Sequence, residues 1–196
     1  SLPRGIKAKN AIISAMMDRT KPLVAVAMSG GVDSSVAAAL LLEQGYPVVG
    51  LTLHLWREPS GGEEEDLPPS LGQAQRVADQ LHIPFQVVNA VDSFRQNVVA
   101  PYLEALRQGY TPNPCVFCNP SLKWQTLMNQ AETLGAKFLA TGHYARIDTL
   151  PGGQVRLRKG RDAQKDQSYF LCRLSQQQLA HTLFPLGDYT KSEVRG

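Results

Sequence analysis

Two short segments carry side chains whose types and spacing suit chemistry. Thr111-Pro112-Asn113-Pro114-Cys115-Val116-Phe117-Cys118-Asn119 places two thiols with two residues between them. Pro112 and Pro114 restrict φ and push Thr111 and Asn113 towards extended backbone, so the segment reads as a stiff loop presenting thiols. A Cys-x-x-Cys on its own admits nucleophilic sulfur chemistry, half of a metal or iron–sulfur site, or coincidence. A closed metal site needs further ligands, and no second pair occurs in the sequence. Lys123 is spaced to lower a thiol pKa, although a solvated lysine fits the spacing equally. The second segment, Ser29-Gly30-Gly31-Val32-Asp33-Ser34-Ser35, offers close backbone approach to an anion, three hydroxyl donors and a carboxylate. It has no Gly-Lys-Ser/Thr and no Gly-x-Gly-x-x-Gly, which argues against Walker-type and dinucleotide loops. The plainer alternative is a tight turn in which Asp33 caps a helix. Cys172, inside Tyr169-Phe170-Leu171-Cys172, reads as an inert core thiol. Among the histidines only His143 follows a strand end near these residues; His54, His82 and His181 read as structural.

The elements that must position them follow from the hydrophobic pattern. Leu23 to Met28 is an unbroken apolar run of strand length, as in a parallel strand covered on both faces. The glycine segment follows, then a helix from Ser34 to Gln44 closed by Gly45, then a strand from Val48 to Leu55. Helix 71–82, strand 85–89 and a helix 92–107 that Pro101 must kink or restart come next. A helix from about Ser121 to Leu134 and a short strand from Phe138 to Thr141 complete the alternation. Residues 144–159 read as a hairpin turning at Pro151-Gly152-Gly153, and Thr190-Lys191-Ser192-Glu193 is a capping box. The expected fold is therefore α/β: a doubly wound, mostly parallel sheet with an added β-hairpin and its ligand at the carboxyl ends of the strands. Residues 1–21 read as an N-terminal extension and 22–175 as the catalytic domain. Residues 176–196 read as the start of a following domain, because a helix begins where the chain stops.

Composition narrows the setting. The chain has 196 residues, 43% of them hydrophobic, which excludes disorder and suits one complete domain. No run of 18 apolar residues implies a membrane span, and the N-terminus lacks a cleavable signal pattern. Three cysteines are too few for a disulfide framework, and a reducing cytoplasm fits best. The formal net charge of +3 is mild, but its distribution is uneven. Residues 57–70 hold five acidic side chains against Arg57, and read as an exposed loop. Residues 146–173 hold seven basic ones (Arg146, Arg156, Arg158, Lys159, Arg161, Lys165, Arg173) against three aspartates. A polyanion would approach the second region, unless that region is simply a solvated basic hairpin.

Ser-Gly-Gly-x-Asp-Ser after a first strand resembles the pyrophosphate loop of the N-type ATP pyrophosphatases, which cleave ATP between the α- and β-phosphates. Ala27 to Ser35, Thr111 to Cys115, Cys118-Asn119, Ala140 to Arg146, Lys165 to Leu171 and Leu183 to Gly187, in this order, closely resemble the tRNA-specific 2-thiouridylase (MnmA) family. That resemblance implies that Ala27, Met28, Ser29, Gly30, Gly31, Val32, Asp33, Ser34, Leu53 and Gly142 line an ATP site, with Mg²⁺ near Asp33. It implies that Asn113, Pro114 and Cys115 lie near the target base, and that Lys165, Asp166 and Gln167 contact tRNA. Cys118 would be the catalytic thiol, with Cys115 and Asp33 beside it in the chemistry. The expected reaction adenylates the 2-oxygen of a wobble uridine and then transfers sulfur, drawn from a cysteine desulfurase or a sulfur-relay protein. The family's second catalytic cysteine, the persulfide carrier, belongs to a segment just beyond Gly196. In a rival route, Cys115, Cys118 and that cysteine hold an iron–sulfur cluster. The alternative is an ATP- and tRNA-binding fragment, inactive alone. A related pyrophosphatase acting on a small molecule is disfavoured by the cysteine segment and the basic hairpin. Many members carry Cys-Cys-Ser where this chain has Pro68-Pro69-Ser70, so any role of those thiols is absent here.

Overall fold

The computed structural model describes residues 20–56 and 68–196, with the side chains of 117 and 119–121 left aside. The N-terminal extension as far as residue 19, and the acidic stretch from 57 to 67, lie outside the described residues. The first apolar run forms β1 (Val24–Ala27), followed by α1 (Val32–Glu43) and β2 (Val48–His54). Then come α2 (Pro69–Gln80) and β3 (Phe85–Asn89). β1, β2 and β3 are parallel neighbours, so the chain first builds the sheet in one direction. It then crosses through two long helical stretches, α3 (91–107) and α4 (114–133), to β4 (Phe138–Thr141) on the other side of β1. The hairpin of β5 (Ala145–Thr149) and β6 (Val155–Lys159) leaves the sheet. After α5 (Gln176–Ala180) the chain returns as β7 (Thr182–Leu183), before ending in α6 (Lys191–Arg195). The parallel order is β3-β2-β1-β4-β7, with the doubly wound character expected from the sequence.

Alternate residues of β1 enter different cores, as the two-residue period of a strand requires. Ala25 packs with Leu51, Leu139, Trp124 and Leu127, the last two from α4. Val24 and Val26 pack with Leu41 of α1 and with Ala74 and Ala78 of α2. Helices on both faces explain the lack of polar alternation in the strand.

Three local features bear on these readings. Pro101 stands where the helix restarts, one of the two outcomes its sequence allows. The turn before it widens to a π turn at Arg95–Val99, with Ala100 N–H donating to Arg95 O, and the helix resumes. A proline at 101 supplies no N–H to the preceding turn, and the wider turn accommodates that loss. The cysteine segment is not an extended loop. Pro114 to Cys118 is the first part of α4, which passes through a π turn at Asn119–Trp124. Asn113 Oδ1 accepts the N–H of Cys115 at 3.1 Å, so Asn-Pro is a helix start: a capping side chain followed by a proline at the first helical position. Finally, parts of residues 176–196 pack on the sheet and on α1. β7 pairs with β4, and Leu186 and Val194 are buried against Ala37 of α1 and Tyr144. A two-residue strand is too short to be legible as a period in sequence.

Candidate active site

Strand order reverses between β1 and β4, and the crevice lies outside their carboxyl ends. From β1 comes the glycine segment. Gly30 has φ +77°, and a Cβ there would stand 2.8 Å from Ser70 O and Gln73 Cβ, so the turn is held tightly against α2. Ser34 Oγ accepts from Ser29 N–H at 3.1 Å and donates to Gly31 O at 3.0 Å, while Ser35 Oγ also donates to Gly31 O. These bonds shape the loop from within. α1 starts at Gly31 with no side-chain cap, so its first N–H groups remain available to an anion. Asp33 is therefore not the helix cap.

Its carboxylate is engaged elsewhere. Asp33 Oδ1 accepts from the Tyr144 hydroxyl at 2.9 Å and from the Lys191 ammonium at 2.5 Å. Burial, then the bond and charge of Asp33, push the Tyr144 phenol well above its usual range, so it is a neutral donor here. From β4 comes Gly142. A Cβ on it would meet the backbone of Asp33 and Ser34 at 2.7 Å, so only glycine lets the end of β4 approach the first turn of α1 this closely.

These residues line a cleft of about 500 Å³. Ala27, Met28, Ser29, Asp33, Ser34, Leu53 and Gly142 face it, whereas Gly30, Gly31 and Val32 form the loop behind. Its apolar wall is Leu51, Leu53, Leu55, Leu71 and Leu127, and its polar side includes Thr52, Ser70, Lys123, Thr141, His143 and Gln167. An apolar wall facing a capless helix start suits a planar base joined to a phosphate chain. The residues fit ATP.

α4 carries the thiols into the same neighbourhood. Cys118 is 4% exposed, packed with Val98 and Leu122 and covered by Leu55 and Phe94; Leu55 also lines the cleft. Burial raises its pKa, the Lys123 cation opposes this, and Cys115 adds to the rise. The effect expected of Lys123 is present but burial outweighs it. Cys115 is exposed. Cys172 is exposed as well, which corrects the reading of a core thiol: Leu171 takes the buried place in that turn. Among the described residues no three His, Cys, Asp or Glu side chains gather to hold a metal ion. Cys115 and Cys118 alone do not fit a closed iron–sulfur site.

Trp124, from the same helix, is 2% exposed and donates its indole N–H to Thr182 Oγ1 at 2.9 Å. His143 lies 5.5 Å from its ring, with Nδ1 2.9 Å from Thr141 Oγ1. Burial first, and the Lys123 charge second, lower the His143 pKa to about 4, so the ring is neutral at pH 7.

The turn Ser168–Leu171 packs against the cysteine end of α4, which brings the segment from Lys165 to Gln167 beside the cleft. Gln167 Oε1 accepts from Tyr144 N–H at 3.1 Å and lines the cleft. Asp166 accepts from Gly160 N–H and from the Ser168 hydroxyl, each at 2.9 Å, and so holds the loop together. Lys165 is exposed. The basic region is more compensated than its sequence suggests. Arg146 pairs with Asp188, Arg156 and Arg158 with Asp148, and Arg161 with Glu193.

Residues 22–196 match the family model described as tRNA methyl transferase HUP domain. The chain belongs to that family. Among curated relatives, a tRNA-specific 2-thiouridylase MnmA from Clostridium perfringens is 47% identical over 180 residues, covering 90% of this chain and 50% of the relative. One from Sorangium cellulosum is 53% identical over 175 residues, covering 88% and 45%. The chain thus spans about half the length of these relatives. Two solved structures share the fold at 20% identity. The U34-tRNA thiolase NcsA from Methanococcus maripaludis, with its 4Fe–4S cluster, has a TM-score of 0.55 over 97% of this chain and 62% of its own. A predicted subunit of tRNA methyltransferase from Methanocaldococcus jannaschii has a TM-score of 0.50 over 89% and 72%.

Within this family member, the structure gathers residues that sequence reasoning passed over. Tyr144, Lys191, Trp124 and Thr52 all reach the site or hold it. Tyr144 stood inside a quoted motif and Lys191 inside a capping box, and neither signal carried a link to Asp33.

Proposed function

We propose that the natural protein carrying this chain is an ATP-dependent tRNA-uridine 2-sulfurtransferase, in which this region binds ATP and presents Cys118. The observation that carries the reading is the meeting of the phosphate-type loop and the Cys118 helix at one cleft, with Leu55 touching both. In the first step the 2-oxygen of the wobble uridine attacks the α-phosphorus of ATP, and pyrophosphate leaves. The glycine segment and the first N–H groups of α1 receive the phosphates, and Asp33 is the carboxylate for Mg²⁺ there. In the second step a sulfur nucleophile attacks carbon 2 of the activated base, and AMP leaves with the former 2-oxygen. The chain's part is to hold Cys118 next to the base-binding end of the cleft, with Asn113, Pro114 and Cys115 near the base. Lys165, Asp166 and Gln167 form the RNA-facing loop. The sulfur arrives from a cysteine desulfurase or sulfur-relay partner as the outer sulfur of a cysteine persulfide, and Cys118 attacks the inner sulfur to form a disulfide and release sulfide-level sulfur for carbon 2.

The buried Cys118 thiol supports a two-stage order. It becomes reactive once the Leu55 and Phe94 cover shifts and the Lys123 cation acts without the opposing burial. The burial of Cys118 favours a second reading of the chain by itself: it binds ATP and tRNA but does not thiolate. The test is Cys118→Ser beside Cys172→Ser in the full-length protein, assayed for pyrophosphate release and for 2-thiouridine. Cys118→Ser should release pyrophosphate and form no 2-thiouridine, and Cys172→Ser should do both. Thiolation by Cys118→Ser but not by Cys172→Ser would overturn the assignment.

A further inference from the structure

We infer that Lys191 is an ATP-contacting residue, supplying to the polyphosphate tail the cation that the glycine segment itself lacks. The inference rests on the nucleotide reading of the cleft. A Walker-type loop carries its own lysine, whereas Ser29 to Ser35 contains no cation and contributes the negative charge of Asp33. A bare carboxylate at the start of α1 would repel a phosphate chain bearing several negative charges. Lys191 brings its ammonium to that carboxylate from 158 residues away, at 2.5 Å, with its side chain only 20% exposed.

This placement is built by several elements and is not the chance reach of a surface lysine. Thr190 and Glu193 form a reciprocal capping box that starts α6 at Lys191. Asp162 Oδ2 accepts the Lys191 backbone N–H at 2.9 Å, tying the helix start to the loop after β6. Val194 and Leu186 are buried with Ala37 of α1, so α6 is fixed to the helix whose first turn holds Asp33. The Lys191 ammonium also lies 5.8 Å from the Tyr144 ring, whose hydroxyl shares Asp33 Oδ1. Tyr144 and Lys191 thus converge on one oxygen of the Asp33 carboxylate. The bland alternative is an ion pair that only fastens α6 to α1. The two differ in which part of the nucleotide feels the lysine.

The experiment is calorimetric titration of the full-length protein with Mg²⁺·ATP and, separately, with AMP. Lys191→Met keeps the side-chain stem and removes the charge, and Lys191→Arg keeps the charge. Loss of one charge-assisted contact should raise Kd for ATP by about tenfold or more, while Kd for AMP stays within about twofold. Lys191→Arg should recover part of the ATP affinity. If Lys191→Met fails to fold, Lys191→Gln takes its place in the same comparison. Unchanged ATP affinity in the charge-removing variant, or equal losses for ATP and AMP, would overturn the inference and leave the nucleotide reading standing. Absence of ATP binding in the unmodified protein would overturn both.

Discussion

At the scale of single residues, the site works by placing polar side chains where their ordinary ionisation is altered or fixed. His143 shows this most directly. Its ring sits among Trp124 and Phe184 with Lys123 near, and its pKa falls from 6.5 to about 4. The folded chain therefore binds fewer protons than the unfolded chain between those values. Its contribution to stability is fully present above pH 6.5 and is lost as pH falls through that window towards 4. We predict a loss of up to about 3 kcal/mol across the window, absent in His143→Gln. Urea midpoints of both proteins at pH 7 and pH 4.5 check it. Neutral His143 also means that the wall of the cleft beside Trp124 presents a hydrogen-bonding ring and no charge at working pH. Cys118 follows the same logic: burial disfavours its charged form and holds the thiol protonated. Cys172, being exposed, tolerates serine without the cost of burying a hydroxyl.

At the scale of elements, two strand ends and one helix start must touch. Gly142 after β4 lies against the backbone of Asp33 and Ser34 at the start of α1. We predict that Gly142→Ala displaces the first turn of α1, costs about 1–3 kcal/mol in stability and weakens ATP binding more than AMP binding. Thermal unfolding and nucleotide titration on one preparation measure both. The alternation of strands and helices was legible in sequence because β1, β2 and β4 are short apolar runs and helices such as α2 carry an apolar stripe. The glycine segment was legible because a phosphate turn needs glycine and hydroxyls at fixed offsets. Other features were not. Asn113-Pro114 reads as a stiff loop until the Asn113 side chain is seen to cap the helix. Cys172 looks apolar in sequence, yet the turn presents Leu171 inward in its place. The Lys191–Asp33 pair joins residues whose separation along the chain no local pattern can register. Tyr144 was quoted only as part of a motif, and its bond to Asp33 depends on the β4 end folding over α1.

At the scale of the whole molecule, the carboxyl ends of the central strands collect the glycine segment, the cysteine-bearing helix and Gln167. Four arginines of the basic region are already paired with carboxylates, so the polyanion-facing charge is smaller than composition implies. Surface pairs of this kind are weak and can be exchanged for phosphate contacts. Lys165 is exposed on the loop that ends at the cleft, and we predict that Lys165→Ala weakens tRNA binding and lowers its salt slope by about one. Filter binding across a salt series reads both numbers. On the function proposed above, this cleft cleaves ATP between the α- and β-phosphates to activate a uridine. It is tested most directly by incubating the full-length protein with α-labelled ATP and a wobble-uridine tRNA, and following labelled AMP. The account predicts tRNA-dependent release of AMP and pyrophosphate that Asp33→Ala abolishes with the fold intact and that Cys118→Ser retains. Release of ADP, or AMP release that Asp33→Ala leaves unchanged, would contradict it.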